Sequence, residues 1–378
     1  MNEALCIEDL RLCARRKLPK TIFESMESGS WSEEALRRNR RDFVALALRQ
    51  KVLQDISGLR TDTTILGTRS TLPFGIGPTG LHGLKHPRGE LDTSLAAKQA
   101  GIPFCLSMMS TYSIEDVAQA TRAPFWFQIF FLRDRGFVRE VVARAAAARC
   151  TALFITVDLP MRGRRLTDIR NGMTVPPNFT AKNFLEFALK PRWALGAFRN
   201  RNRMFGNLQG HVAGLEDADE ALKWSDTQYD PTVTWKDIEW IRGLWQGPLV
   251  LKGILDAGDA KTAVDVGAQG IVVSNHGGRQ LDVAQSTISA LPRIADAVGS
   301  SLEIMLDGGV RSGQDVLKAL GRGARFCLLG RSALYGLAAG GQAGVGKAID
   351  IVRSELVAAM AMTGVTAVEQ IDAQVIAE

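Results

Sequence analysis

The chain has few of the residues that build covalent or metal frameworks. Its five cysteines, Cys6, Cys13, Cys105, Cys150 and Cys327, are odd in number and form no Cys-x-x-Cys pair. This pattern argues against a disulfide scaffold and for a reducing compartment. Of the four histidines, His82, His86, His211 and His276, the first two lie four apart but flank Gly83-Leu84-Lys85 ahead of Pro87. With no HExxH pattern and no acidic partners, they do not read as a metal site. No apolar run reaches roughly 18 residues, so no membrane-crossing helix is predicted. Met1-Asn2-Glu3-Ala4 is not a basic segment leading into an apolar one, so no signal peptide is expected. There is no long basic arm and no nucleic-acid motif. The net charge of +6, from 46 basic and 40 acidic residues, is modest for 378 residues and suits small anionic ligands or a membrane surface; no nucleic-acid partner is expected. What remains is ordinary globular composition, 46% hydrophobic and 23% charged.

Along the chain, residues 7–52 read as helical. Ser30-Trp31-Ser32-Glu33 has capping-box spacing, and the charged run from Glu33 to Asp42 reads as a solvated helix face. Eight short apolar runs follow, at Pro73–Gly77, Pro103–Ser107, Phe125–Ile129, Ala152–Val157, Leu249–Leu251, Gly270–Val273, Glu303–Leu306 and Phe326–Leu329. Segments of helical spacing separate most of them: 90–100, 114–120, 136–149, 235–244, 257–266, 287–298 and 312–320, with 344–362 after the last. Repeated strand–helix alternation predicts an α/β fold, a (β/α)8 TIM barrel with an N-terminal helical cap. An open doubly wound sheet competes, but no GxGxxG follows the first strand. The expected organisation is a single domain, 1–378. Its parts are a cap (1–60), the barrel (70–158 and 249–365) and a long insertion after the fourth strand (159–248). Within that insertion, basic residues interleave with aromatics over 190–205 and point to an interfacial membrane contact, with a solvated or protein-covered loop as the equal alternative.

In a barrel, the residues following each strand form the active-site rim. Ser274-Asn275-His276-Gly277-Gly278-Arg279-Gln280-Leu281-Asp282 follows the sixth strand. It joins a proton-transfer side chain to a guanidinium able to clamp a carboxylate in two-point contact. A satisfied surface histidine in a turn is the bland alternative, and the strand-end position with its arginine outweighs it. The other ends are also polar: Pro78-Thr79-Gly80, Ser107, Gln128, Thr156-Val157-Asp158, Lys252-Gly253, Asp307-Gly308-Gly309-Val310-Arg311 and Gly330-Arg331. The last two, glycine-rich and each with an arginine, occupy the usual barrel phosphate position. A phosphorylated redox cofactor fits this rim better than a metal.

These motifs, in this order over nearly the whole chain, resemble the FMN-dependent 2-hydroxy acid oxidases and dehydrogenases. The resemblance implies FMN at the barrel mouth and oxidation of an (S)-2-hydroxy acid to the 2-oxo acid. His276 would act as base while a hydride equivalent passes to flavin N5. Asp158 would orient His276, and Arg279 and Arg165 would hold the substrate carboxylate. Lys252 would stabilise the reduced flavin. Pro78, Thr79, Gly80, Ser107, Gln128, Thr156 and Ser274 would contact the flavin, and Asp307, Gly308, Gly309, Arg311, Gly330 and Arg331 would hold the ribityl phosphate. A homotetramer is implied, along with a cytoplasmic location that includes peripheral contact at the inner face of a membrane. Gly80 stands where oxygen-using members often carry alanine, which leans towards a dehydrogenase serving a quinone or another acceptor. Two family tyrosines are absent: Ser25 and Phe130 occupy their positions. This opens volume and, with Met109, adds apolar surface, so a larger or more apolar acid is the expected substrate. Competing readings are a shifted redox substrate, such as an amine or natural-product intermediate, and a non-redox FMN barrel or binding protein.

Overall fold

The computed structural model describes residues 3–174, 177–199, 205–208, 224 and 227–377. Eight parallel strands, β1 (Phe74–Ile76), β2 (Cys105–Ser107), β3 (Trp126–Phe130), β4 (Ala152–Thr156), β5 (Leu249–Ile254), β6 (Gly270–Val273), β7 (Glu303–Leu306) and β8 (Phe326–Leu329), pair in the order β1-β8-β7-β6-β5-β4-β3-β2. A parallel bridge between Ile76 and Phe104 joins the two ends, so the sheet closes into a barrel. The strands fall on the eight apolar runs read from the sequence, each buried on both faces as a parallel barrel demands.

Strand alternation sorts these residues into two layers. One set packs outward against the helices. The other fills the barrel with Cys105, Trp126, Phe154, Val250, Val272, Met305, Phe326 and Leu328, capped below by Ile65 and Leu66 of the hairpin Thr63–Ser70. Trp126 stacks on Phe154 (centroids 5.2 Å apart) and meets Phe326 edge-on at 6.0 Å. Fully burying such rings stabilises by about 1.5–3 kcal/mol each. Two residues further along β3 to β7, the same inward face carries Gln128, Thr156, Lys252, Ser274 and Asp307. The apolar plug is therefore also the floor of the site.

The N-terminal segment is three helices rather than one continuous run: α1 (Ile7–Lys17), α2 (Lys20–Glu27) and α3 (Glu34–Ala45). The capping box expected at Ser30 does not form. Glu33 sits in the left-handed region at φ 64°, and its carboxylate bends back to accept from the Gly29 amide at 3.0 Å. Asp282 caps α3 instead, its Oδ1 accepting from Glu34 N at 2.8 Å and its main-chain oxygen from Ala35 N at 2.6 Å. Nor is the charged run wholly solvated: Asn39 is buried against Asn275, and Arg40 reaches Asp315 at 2.8 Å.

The segment after β4 is not structureless. It holds helices Leu166–Arg170, Ala181–Ala188 and Pro191–Arg199 before the barrel helix Trp235–Leu244. Of the basic–aromatic stretch, 200–204 lie outside the described residues, as does His211. The final helix runs Arg331–Thr363 rather than starting at residue 344, broken only at Gly340–Gly341. Among the described residues, no helix is long and apolar enough to cross a membrane.

Candidate active site

One cavity, about 1070 Å³ counting its open mouth, sits at the carboxyl ends of the strands. It is lined by Ser25, Pro78, Thr79, Gly80, Ser107, Gln128, Phe130, Thr156, Lys252, His276, Arg279, Asp307, Gly308, Gly309, Arg311, Gly330 and Arg331. Asp158, Ser274 and Arg165 stand outside this wall; the first two act on it through His276 and Lys252.

The β6 loop brings the chemistry together. His276, Gly277 and Gly278 all have positive φ (57°, 67° and 77°), which coils the backbone tightly and presents the imidazole to the cavity. Only glycine fits at 278, where a Cβ would lie 2.5 Å from Leu36 N. His276 Nδ1 is 3.1 Å from Asp158 Oδ1. Burial alone would raise the Asp158 carboxyl, but the charge of His276, its hydrogen bond and nearby Lys252 hold it below the ordinary value. Asp158 comes this close because Gly253, at φ 115° on the β5 bulge, has no Cβ; one would lie 2.7 Å from the Asp158 side chain. Gln280 fastens the same loop, donating to Asp158 O at 2.7 Å and accepting from Gly163 N at 3.0 Å.

Across the floor, Lys252 Nζ bridges Asp307 Oδ2 (3.0 Å) and Ser274 Oγ (3.1 Å). Burial would lower this ammonium; Asp307 and Asp158 more than offset that and raise it, so it is a fixed cation. Gln128 accepts from Ser107 and donates to Thr156, a polar ladder along one wall.

Arg279 is the anion clamp. One terminal nitrogen donates to Ser28 O (2.6 Å) and Ser25 O (3.1 Å), which fixes the guanidinium against the N-terminal cap. Its other nitrogens have no protein partner among the described residues. Burial, with the charges of Arg165 and Arg331, pushes Arg279 well below its usual value. Arg165 is partly buried beside Asp168 (3.5 Å), and its Nε has no protein partner among the described residues. Arg331 spends its guanidinium on the carbonyls of Met26, Gly277 and Ser28, which leaves its main-chain N–H, at the start of the last helix, for an anion.

The two positions without tyrosine are both on the wall. Ser25 donates to Ile22 O at 2.8 Å, so its hydroxyl is turned into its own helix, and Phe130 contributes an apolar edge. Sequence reasoning missed Lys85, Met26 and Leu334, which also line the cavity, and Asp168, whose spacing of three from Arg165 was a readable signal. His82, weighed as a metal ligand, is instead locked between Thr79 and Thr93 hydroxyls. Among the described residues, no cluster could hold a metal ion.

The fold and this cavity define a barrel oxidoreductase for a phosphorylated cofactor. It has a carboxylate-backed histidine and a half-buried arginine clamp. The residues fit a flavin mononucleotide. Asp307 Oδ1 is buried with no partner among the described residues, as a sugar hydroxyl would require, and the β7 and β8 ends offer Arg311 and successive glycine amides. The pattern of the FMN-dependent dehydrogenases matches residues 14–378, and the chain belongs to that family. The chain is 46% identical over 374 residues to an L-lactate dehydrogenase of Caulobacter sp. (strain K31), covering 98% of this chain and 97% of the relative. It is 43% identical to an L-lactate dehydrogenase of Pseudomonas syringae pv. syringae (strain B728a), with 97% of each chain covered. Among solved structures it is similar to a monotopic membrane protein, (S)-mandelate dehydrogenase (TM-score 0.94, 34% identity, 99% of both chains). It is also similar to a mandelate oxidase with (S)-4-hydroxymandelic acid (TM-score 0.85, 35% identity, 99% of this chain and 98% of that one). The protein is thus an FMN-dependent enzyme that oxidises 2-hydroxy acids.

Proposed function

We propose that the enzyme takes an (S)-2-hydroxy acid to its 2-oxo acid with His276 as the base. The observation that carries this is the Asp158–His276 pair, whose imidazole lines the same cavity as Arg279 and the Lys252–Asp307 pair. Nδ1–H donates to Asp158, so Nε2 keeps its lone pair and takes the substrate proton; Asp158 then stabilises the imidazolium. Arg279, with Arg165 behind it, holds the carboxylate and so fixes which face of the hydroxyl-bearing carbon is presented. Bound FMN supplies the acceptor for the two electrons that leave this carbon. Lys252 would place a fixed positive charge where the cofactor gains negative charge. Pro78, Thr79, Gly80, Ser107, Gln128, Thr156 and Ser274 would hold the isoalloxazine. Asp307, Gly308, Gly309, Arg311, Gly330 and the Arg331 amide would hold the ribityl phosphate.

The relatives' substrates, L-lactate and mandelate, support a 2-hydroxy acid whose side chain meets Ser25, Phe130 and Met109. Gly80 supports transfer to a quinone or similar carrier rather than oxygen. The helices Ala181–Ala188 and Pro191–Arg199 expose Phe184, Leu185, Leu189, Leu195 and Phe198 beside Lys182, Arg192 and Arg199, which supports peripheral contact with a membrane, at its cytoplasmic face. The division into cap, barrel and insertion, and a homotetrameric assembly, belong to the same reading. The test is the anaerobic visible spectrum of the holoenzyme. A panel of (S)-2-hydroxy acids should bleach the flavin band and 2-amino acids should not; bleaching by amino acids alone would favour a shifted substrate.

A further inference from the structure

We infer that Lys85 is a specificity residue for a 2-hydroxy acid carrying a second anionic group, a carboxylate at the far end of its side chain. The inference rests on the 2-hydroxy acid reading above. Lys85 lies on the loop after β1 and lines the cavity with Ser25, Met109, Phe130 and Arg279. One of its three N–H groups donates to Leu81 O at 3.0 Å, and no carboxylate pairs with it among the described residues. Leu81, whose carbonyl it meets, donates its amide to Met109 O at 3.0 Å, and the charges of Arg279 and Arg165 act on Lys85, which places it at the substrate end of the cavity.

Arg279, Arg165 and Lys85 bring positive charge to that end, and Arg331 adds its own charge to Arg279. Arg165 is paired with Asp168. Glu90 acts on Lys85 as an opposite charge, but among the described residues it forms no ion pair with it, and its Oε1 is engaged by the amides of His82 and Thr111. The carboxylate of a monoacid substrate, held by Arg279, leaves the half-buried Lys85 ammonium with two N–H groups unspent, which is costly. A second carboxylate would take both. The neighbouring wall cannot do this. The Ser25 hydroxyl is spent on Ile22 O, and Phe130 and Met109 offer no donor side chain. The wall that lacks the two phenol hydroxyls carries an ammonium at Lys85.

The experiment compares the holoenzyme with its Lys85→Met and Lys85→Arg variants, using anaerobic flavin reduction by (S)-2-hydroxyglutarate and by (S)-2-hydroxyhexanoate, similar in reach but without the second charge. The wild type should favour the diacid in kcat/KM by about tenfold or more, the size of one charge-assisted hydrogen bond. Lys85→Met should abolish that ratio through the KM for the diacid, and Lys85→Arg should keep most of it. A wild type indifferent to the second carboxylate would overturn the inference. So would a Lys85→Met variant in which both acids lose equally, because Lys85 would then serve the carboxylate that all substrates share. If neither acid nor any other 2-hydroxy acid bleaches the flavin, it is the functional reading itself that fails.

Discussion

Burial holds the His82 imidazole neutral. Enclosure, aided by the charge of Lys85, lowers it to about 3, against a hydrogen bond near Thr79 that raises it. In the unfolded chain the same ring titrates near about 6.5. Between those values the unfolded form binds a proton that the folded form does not. His82 therefore leaves stability intact above about pH 6.5 and subtracts from it as pH falls towards 3. The loss in urea midpoint between pH 7 and pH 5 should be smaller in His82→Gln than in the wild type; an identical loss in both would show that other groups carry the acid sensitivity. Legibility at this scale followed strand alternation. Gln128, Thr156, Lys252, Ser274 and Asp307 could be read because a period of two aligns them with the apolar plug. Lys85 could not, because a loop has no period, and a lysine among glycine and leucine reads as solvent-facing until the fold shows what it faces. Arg331 was legible as a site residue but not in its manner: the carbonyls that occupy it come from α2, its following turn and the β6 loop, which only the closed fold brings together.

Among the elements, α3 shows how a distant residue overrides a local signal. Ser30 had the right spacing for a cap, yet Asp282, the last residue of the β6 motif, takes the role. The motif is therefore a joint as well as a catalytic loop: Asn275 pairs with Asn39, Arg279 with the turn after α2, Gln280 with the β4 loop and Asp282 with α3. Asp282→Ala should cost about 1–2 kcal/mol of stability, as lost helix caps do, seen as a lower denaturant midpoint at unchanged slope. An unchanged midpoint would mean that α3 is held by Asn39 and Arg40 alone. The last helix was underread for a different reason. Its glycines, and the break at Gly341 (φ 59°), hid the turns that begin at Arg331.

For the whole molecule, the barrel was legible because eight apolar runs, most of them separated by a single helical segment, admit few closed arrangements. The insertion was less so, since three of its helices are short: Leu166–Arg170 packs on α2, and Ala181–Ala188 and Pro191–Arg199 share a ring cluster of Phe179, Phe184, Phe187 and Trp193. If this surface meets a membrane, the triple variant Phe184→Ser, Leu185→Ser and Leu195→Ser should lose most of its co-sedimentation with phosphatidylglycerol vesicles. Each side chain withdrawn from lipid forfeits about 1.5–3 kcal/mol. A wild type that stays in the supernatant, or a triple variant that sediments equally, would leave the face as a protein contact. Substrate oxidation depends on His276, which anaerobic stopped-flow reduction of the bound flavin in wild type and His276→Asn tests most directly. The variant should retain FMN in full yet be reduced by the best (S)-2-hydroxy acid about 10²–10⁴-fold more slowly; reduction at a comparable rate would show that the proton is taken elsewhere.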